Sequence, residues 1–391
     1  MADTYTVKNK KQGFFGKLGN SFASIPIGII IIILGCGILW NNEKKNVINI
    51  KDVKEMRENF KDVSSSEVVK ENEGKLIATY GTLDFGNTYL TDETFGISVL
   101  TPILERHVEV YQWVETSETT DDKTTYTYSK EWSEKNNDPT NFKQASGHEN
   151  NNDGLKYKLN KPYRVTSLAL GAFSLSDGFL SKLSATEELT TLEPGVGLPE
   201  GYSVVGKYIT NSADLNNPVI GDTRISFTYG DYDTVSVLGK QTGSRIGAYT
   251  TKKNSTILKL EKGEKTGTEL INNIESGNKL WKWISRLFGV ILVCMGTSML
   301  LSPLTTLIGY VPFLGKIFNG ALGVVSASVG FAISLIVIGI AWLVYRPVIG
   351  VIMIIVSVGL IVLAKMYLSK KDDGKTSEVK EEKKEENKEE N

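Results

Sequence analysis

The stretch RHVEVYQWVE, residues 106–115, contains His107, one of only two histidines in the 391-residue chain. With Glu109 and Glu115 nearby it resembles an acid–base or metal cluster. Successive side chains of a strand point to opposite sides, so Val108, Val110, Gln112 and Val114 take one face, and His107, Glu109, Tyr111, Trp113 and Glu115 the other. A polar turn centred near Asp121 and Asp122 follows. TTYTYSKEW (124–132) then alternates again, with Tyr126, Tyr128, Lys130 and Trp132 on one face. An antiparallel hairpin sets Tyr111 opposite Trp132 and Trp113 opposite Lys130. Aromatic and cation–π pairs of this kind stabilise by roughly 0.2–1 kcal/mol each. His107 is then one rung of an aromatic–polar ladder.

Around this hairpin the chain is polar, and apolar sequence brackets it. Net charge is −1 with 23% charged residues, so composition points away from nucleic acid. Residues 22–40, FASIPIGIIIIILGCGILW, carry no charge and as a helix would span roughly 28 Å, close to the hydrocarbon thickness of a bilayer. A signal peptide is the alternative, but no small-x-small cleavage site closes the run, which argues for a retained helix. Residues 283–301, 320–345 and 348–368 predict three more spans, the last two separated by Tyr345-Arg346-Pro347, where proline breaks the hydrogen-bond ladder. Trp342, Tyr345 and Arg346 suit a membrane interface. Residues 302–319, with Pro303 and Pro312, read as an interfacial or re-entrant connection, the alternative being a hydrophobic loop. Cys36 and Cys294 lie inside apolar runs and define neither a disulfide framework nor a zinc pair.

Lys8, Lys10, Lys11 and Lys17 precede the first span, and Lys365, Lys370 and Lys371 surround the end of the last. By the positive-inside rule both termini are cytoplasmic: 1–21 forms the N-terminal segment and 369–391 a charged tail. Lys279, Lys282 and Arg286 count against this orientation. The fold class expected is α+β, four transmembrane helices with a large β-rich extracytoplasmic domain over 41–282. At its start Val47, Ile50, Val53, Met56 and Phe60 recur at helical spacing. Ile225, Phe227 and Tyr229, followed by Val235 and Val237 beyond GDYD, read as a hairpin. A short helix capped by serine or aspartate is expected within SLSDGFLSKLSATEEL.

The segments NNE (41–43), ENEGKL (71–76), RHVEVYQWVE (106–115), YTYSKEW (126–132), NFKQASGHEN (141–150), GDTRISFTY (221–229) and WLVYRP (342–347) occur in an order that resembles the transmembrane protein 43 family, also called LUMA. The resemblance runs along nearly the whole chain. It diverges in the 151–220 loops, in most apolar residues of the spans and in the C-terminal tail. It implies one N-terminal span, a large lumenal domain and clustered C-terminal spans in a membrane-organising protein. Family members in eukaryotes belong to the endoplasmic reticulum and inner nuclear membrane, with links to lamin and emerin networks; bacterial relatives exist. The resemblance carries over no catalytic residues.

The residues themselves favour binding over chemistry. His107 and His148 offer no recognised metal spacing, even with Glu109 or Glu149, and GKQTGSR (239–245) lacks the order of a phosphate-binding loop. Neither a cofactor nor a metal is expected. Gly323 with Ala327 and Ser326 with Gly330 form a small-residue stripe suited either to self-association or to packing within the bundle. The reading is a non-enzymatic multi-pass membrane scaffold that self-associates and recruits other membrane proteins. The alternatives are a channel or channel-accessory subunit and, behind it, a membrane-anchored hydrolase. Candidate interaction residues are His107, Tyr111, Trp113, Tyr128, Trp132, His148, Asp222, Arg224, Gly323, Ser326, Ala327, Gly330, Arg346 and Pro347. The membrane is the plasma membrane in a bacterium, or the endoplasmic reticulum and inner nuclear membrane in a eukaryote.

Overall fold

The computed structural model of the chain describes residues 3–8, 14–120, 123–309, 314–352 and 355. It divides into a β-rich unit, Met1–Gln12 with Lys51–Ser276, and a helical unit, Gly13–Ile50 with Gly277–Asn391.

The β-rich unit is built on strands β1 (Asp3–Lys8), β2 (Leu76–Asp84), β3 (Ile103–Thr119), β4 (Lys123–Ser133), β5 (Tyr208–Thr210), β6 (Thr223–Tyr229), β7 (Thr234–Thr242) and β8 (Lys259–Lys262). Among the described residues an eight-stranded sheet carries the order β1–β4–β3–β6–β5, and a seven-stranded sheet holds β7 between β2 and β8. Period two sets the inner faces. Leu104, Val108, Ile225 and Phe227 share one buried cluster with Phe95, Ile97 and Ile209. Val235 and Val237 enter another with Leu168, Phe173 and Phe179. Burying each such side chain stabilises by about 1.5–3 kcal/mol.

The 224–237 pattern is not a hairpin. β6 pairs with β3, whereas β7 pairs with β2 and β8, so the chain changes sheets across 230–233. The corner is shaped by burial. Tyr232 enters the core and its hydroxyl accepts from the Ser184 amide, while Gly230 lies where a Cβ would meet Ile103 at 2.5 Å. Alternation fixed which faces are buried but not which strand is the neighbour. The short helix expected near 174–189 is a 3-10 turn, Asp177–Lys182, and Ser176 at its N-cap makes no side-chain capping bond.

Helices are longer than hydropathy alone implied. Residues 22–40 lie within α1 (Phe14–Asn59), which also absorbs the amphipathic stretch; Val53 and Met56 are buried with Leu270 and Ile271, while Ile50 is exposed. Residues 283–301 lie within α2 (Gly267–Gly309), and 320–345 within α3 (Leu314–Tyr345). The β-rich region is therefore helical at both ends, over 41–59 and 267–282. Among the described residues three helices are long and apolar enough to cross a membrane. Of the expected fourth span, residues 348–352 and 355 are helical and the rest lies outside the described residues, as does the charged tail.

Residues 302–309 continue α2 through Pro303, where the sequence reading placed a connection. Proline has no N–H to give the Met299 carbonyl; Ser24 Oγ on α1 donates to that oxygen instead, at 3.0 Å. Thr305 and Thr306 hydroxyls donate to the Ser302 carbonyl at 2.8 and 2.9 Å. At the other end of α3 the helix does stop at Arg346, and Pro347 starts a new turn, a position where its missing N–H costs nothing.

α1 and α2 pack antiparallel through two reciprocal glycine contacts one heptad apart. A Cβ on Gly28 would lie 2.8 Å from the Gly296 carbonyl, and one on Gly296 would lie 2.7 Å from the Gly28 carbonyl. Gly35 meets Val293 and Gly289 in the same way, and Gly289 meets Leu39. Lipid tails are as apolar as leucine, so helices associate through such close contact rather than through hydrophobic burial. The small residues of α3 serve the same bundle. Gly330 lies against the Cys294 backbone, Ser326 bonds Ser298 at 3.2 Å, and the Ala327 carbonyl accepts from the Cys294 thiol, whereas Gly323 faces open space. Substituting Gly296→Leu should therefore lower the melting temperature of the detergent-solubilised chain, since overpacking costs about 1–3 kcal/mol of stability. Gly323→Leu should leave it unchanged, and equal losses in both would refute the packing.

Candidate functional site

β3 and β4 pair in the register expected from alternation, with Tyr111 opposite Trp132 and Trp113 opposite Lys130. The first pair packs with ring centroids 5.4 Å apart, and the Lys130 ammonium sits 4.7 Å from the Trp113 ring. The turn residues Asp121 and Asp122 lie outside the described residues. One face of β3 is core, and it carries a charge among the apolar residues. Arg106 is buried and its Nη1 donates to both oxygens of buried Asp92, at 2.8 and 2.7 Å, over the Phe95 ring. A charge in phase with Val108 and Val110 signalled a buried partner; nothing near it in sequence named Asp92.

The opposite face is divided in two. Over its outer half lies the segment 137–150. Trp113 projects beyond the end of β6, and the Asn150 side chain takes the place of a strand neighbour: Oδ1 accepts from the Trp113 amide at 2.6 Å and Nδ2 donates to the Trp113 carbonyl at 3.0 Å. Nδ2 also donates to the Asn137 carbonyl. Beneath, Gln112 donates to the Ser133 and Lys135 carbonyls and accepts from the Asn137 amide. Tyr128 is thereby fully buried. Its hydroxyl donates to Glu115 at 2.7 Å and accepts from the Gln144 amide at 2.9 Å. Its ring stacks on His148 at 3.9 Å, Trp113 meets the same imidazole edge-on, and His148 Nδ1 donates to the Gln144 carbonyl. Burial, reinforced by the bond to Glu115, pushes the Tyr128 phenol up to about 12. His148 and Tyr128 are thus structural pins.

The inner half remains open. His107, Glu109, Glu134, Glu188, Lys207, Tyr208 and Arg224 line a cleft of about 350 Å³. Arg224 is its centre: it forks onto Glu109 at 2.7 and 3.1 Å and lies 4.6 Å from the Trp132 ring and 5.1 Å from the Tyr208 ring. His107 Nδ1 donates to Glu134 at 3.2 Å, and its Nε2 lies 3.0 Å from the Thr228 hydroxyl. Glu188 holds Lys207 at 2.7 Å, a hydrogen bond that raises the ammonium above its ordinary value. Both histidine nitrogens are therefore engaged. No group of three or more metal-ligating side chains is placed to hold an ion among the described residues. Asp222 sits just off the cleft, where its carboxylate accepts from Ser212 Oγ and the Val219 amide and shapes the turn before β6.

A second polar cluster lies in the helical unit, and sequence reading named only one of its charged members, Arg346, as a candidate. Glu43 is 1% exposed and accepts from Arg286 Nε at 2.6 Å and from Trp342 Nε1 at 2.8 Å. Asn42 donates to the Lys282 carbonyl, and Trp40 packs edge-on to Tyr345. The signal was an acid directly after a charge-free apolar run, in NNE.

The family model "Transmembrane protein 43" matches residues 110–347. Transmembrane protein 43 of Mus musculus is 27% identical over 364 residues, covering 86% of this chain and 88% of the relative. The Homo sapiens protein is 27% identical over 369 residues, 87% of this chain and 89% of its own, and the Drosophila melanogaster homolog 28% over 344 residues, 83% and 89%. No solved structure matches the chain.

Tyr128 gives this account a pH signature. A phenol whose folded pKa is raised contributes stability that is fully present below its ordinary value of 10 and is lost as pH rises through about 12. Denaturant titrations should show the native chain losing stability across pH 10–12. Tyr128→Phe should start about 1–3 kcal/mol lower, with two hydrogen bonds gone, and lose less over that window. Identical slopes for the two would contradict the buried-phenol assignment.

Proposed function

Because the chain belongs to the transmembrane protein 43 family, a family none of whose matched relatives is named for an enzymatic activity, we propose that it is a multi-pass membrane scaffold that works by docking partners. The observation that carries this reading is the open half of the β3–β4–β6 face. Tryptophan, tyrosine and arginine are the side chains that most often anchor interfaces. Here Tyr111, Trp132, Tyr208 and Arg224 are held by rigid strands and hydrogen-bonded neighbours, so little ordering entropy remains to be lost on binding. Mixed charge around the cleft, with Glu134, Glu188 and Lys207 at its rim, suits a polar protein surface.

Self-association belongs to the proposal. Ser326 and Gly330 pack inside the bundle, whereas Gly323 and Ala327 are exposed on α3; the proposal places association on the sheet face, which offers the larger set of anchoring side chains. Crosslinking and quantitative co-purification from native membranes should recover fewer self-crosslinks and bound membrane proteins with Trp132→Ala/Arg224→Ala than with the native chain, at unchanged helix melting. Full recovery of both by the double variant would exclude the face.

The proposed topology places both termini in the cytoplasm and the β-rich domain across the membrane. A crossing by residues 22–40 and the pairing of β1 with β4 exclude one another in one molecule, because a crossing puts residues 3–8 on the far side. Eight isoleucines, two leucines and a phenylalanine in 22–40 each favour the bilayer by roughly 0.3–0.6 kcal/mol. β1 is a six-residue edge strand, nearly all exposed; its hydrogen bonds contribute about 1 kcal/mol each against an ordering cost of ~1–2 kcal/mol per residue. In a membrane the crossing prevails. Tyr5 and Tyr126 are register partners in that pairing, so Tyr5→Cys/Tyr126→Cys should form no disulfide in oxidised native membranes. A disulfide there would overturn the topology.

A further inference from the structure

At one end of the helical bundle, Lys282 lies within electrostatic reach of Arg286, Arg346 and Glu43. Lys279 is also within that reach, so cations outnumber the one carboxylate, and both oxygens of that carboxylate are already taken by Arg286 Nε and Trp342 Nε1. Arg346 Nη2 is shielded from solvent and has no hydrogen-bond partner. Unmatched positive charge and an orphaned guanidinium donor are expensive at the edge of a hydrocarbon phase, so they mark a place where an anion is missing from the account.

The surroundings say which anion. Four of the six tryptophans, Trp40, Trp281, Trp283 and Trp342, fall within these segments, and Trp281 and Trp283 are 67% and 61% exposed. The Arg286 guanidinium lies 5.0 Å from the Trp283 ring and 5.8 Å from the Trp342 ring, and Lys282 lies 5.3 Å from Trp283. Tryptophan collects at the headgroup level of a bilayer, and basic pockets between membrane helices at that level take anionic headgroups. Glu43 fixes Arg286 through Nε, and this leaves its two terminal nitrogens as a fork, the geometry that matches phosphate.

We propose that Lys282, Arg286 and Arg346 form a binding site for a phosphate group, filled by the headgroup of an anionic phospholipid, with Glu43 and Trp342 positioning Arg286. This site is separate from the sheet face, and neither inference depends on the other. The test uses the full chain in nanodiscs of phosphatidylcholine, with or without phosphatidylglycerol, followed by thermal melting and native mass spectrometry. Phosphatidylglycerol should raise the melting temperature and remain bound on release. Arg346→Gln should reduce the retained lipid by about tenfold, the loss of one charge-assisted bond. Lys44→Gln, an exposed cation on α1, should change nothing. Should Arg346→Gln not fold, Lys282→Gln carries the same expectation. Millimolar inorganic phosphate added to phosphatidylcholine discs separates the sources: an Arg346-dependent shift there, with none from phosphatidylglycerol, would overturn the lipid assignment. Equal lipid retention by native chain and Arg346→Gln, or a matching loss in Lys44→Gln, would overturn the site.

Discussion

The side-chain amide of Asn150, paired with both backbone groups of Trp113, is the contact on which the division of the sheet face depends. β6 ends its pairing with β3 at Val110, and Asp222 and Gly221 just before β6 still bond the Tyr111 backbone, so from Trp113 onward β3 would present an unpaired strand edge and an uncovered aromatic face. An unpaired backbone group away from water costs as much as a lost hydrogen bond. Asn150 removes that cost at Trp113 and brings the 141–150 segment down over Tyr128. One half of the face becomes interior, and the other half, around Arg224, stays a surface. Five separated stretches of sequence, 106–115, 126–132, 141–150, 203–210 and 221–229, meet in this arrangement.

Much of it was legible because period two is a local rule. Alternation in RHVEVYQWVE and TYTYSKEW gave the faces, and the turn length gave the register that sets Tyr111 on Trp132. The cover over Tyr128 was not legible, since nothing in NFKQASGHEN says which strand edge its asparagine will complete. His148, a candidate interaction residue by sequence, is a buried ring stacked on a phenol. The error at 224–237 has the same origin: two alternating strands in sequence look like a hairpin whether they share a sheet or, as here, belong to two.

In the helical unit, hydropathy located the apolar stretches but not the helix ends, because capping and partner bonds decide where a helix stops. Pro303 would have been a break in water; beside Ser24 of α1 it is accommodated. The heptad spacing of Gly28 with Gly35 and of Gly289 with Gly296 was visible, yet only the antiparallel pairing of α1 and α2 turns it into contact. Glu43 and Arg286 illustrate the remaining gap: 243 residues apart in sequence, they form one buried pair that no local pattern announces.

The division of the sheet face is tested most directly by hydrogen–deuterium exchange on the full chain, native against Asn150→Ala. The account requires faster exchange at the Trp113 and Gln144 amides, with the His107 and Glu109 amides unchanged, because those point to β6 rather than to the covering segment. Exchange that rises equally across 107–113, or rises nowhere, would contradict it.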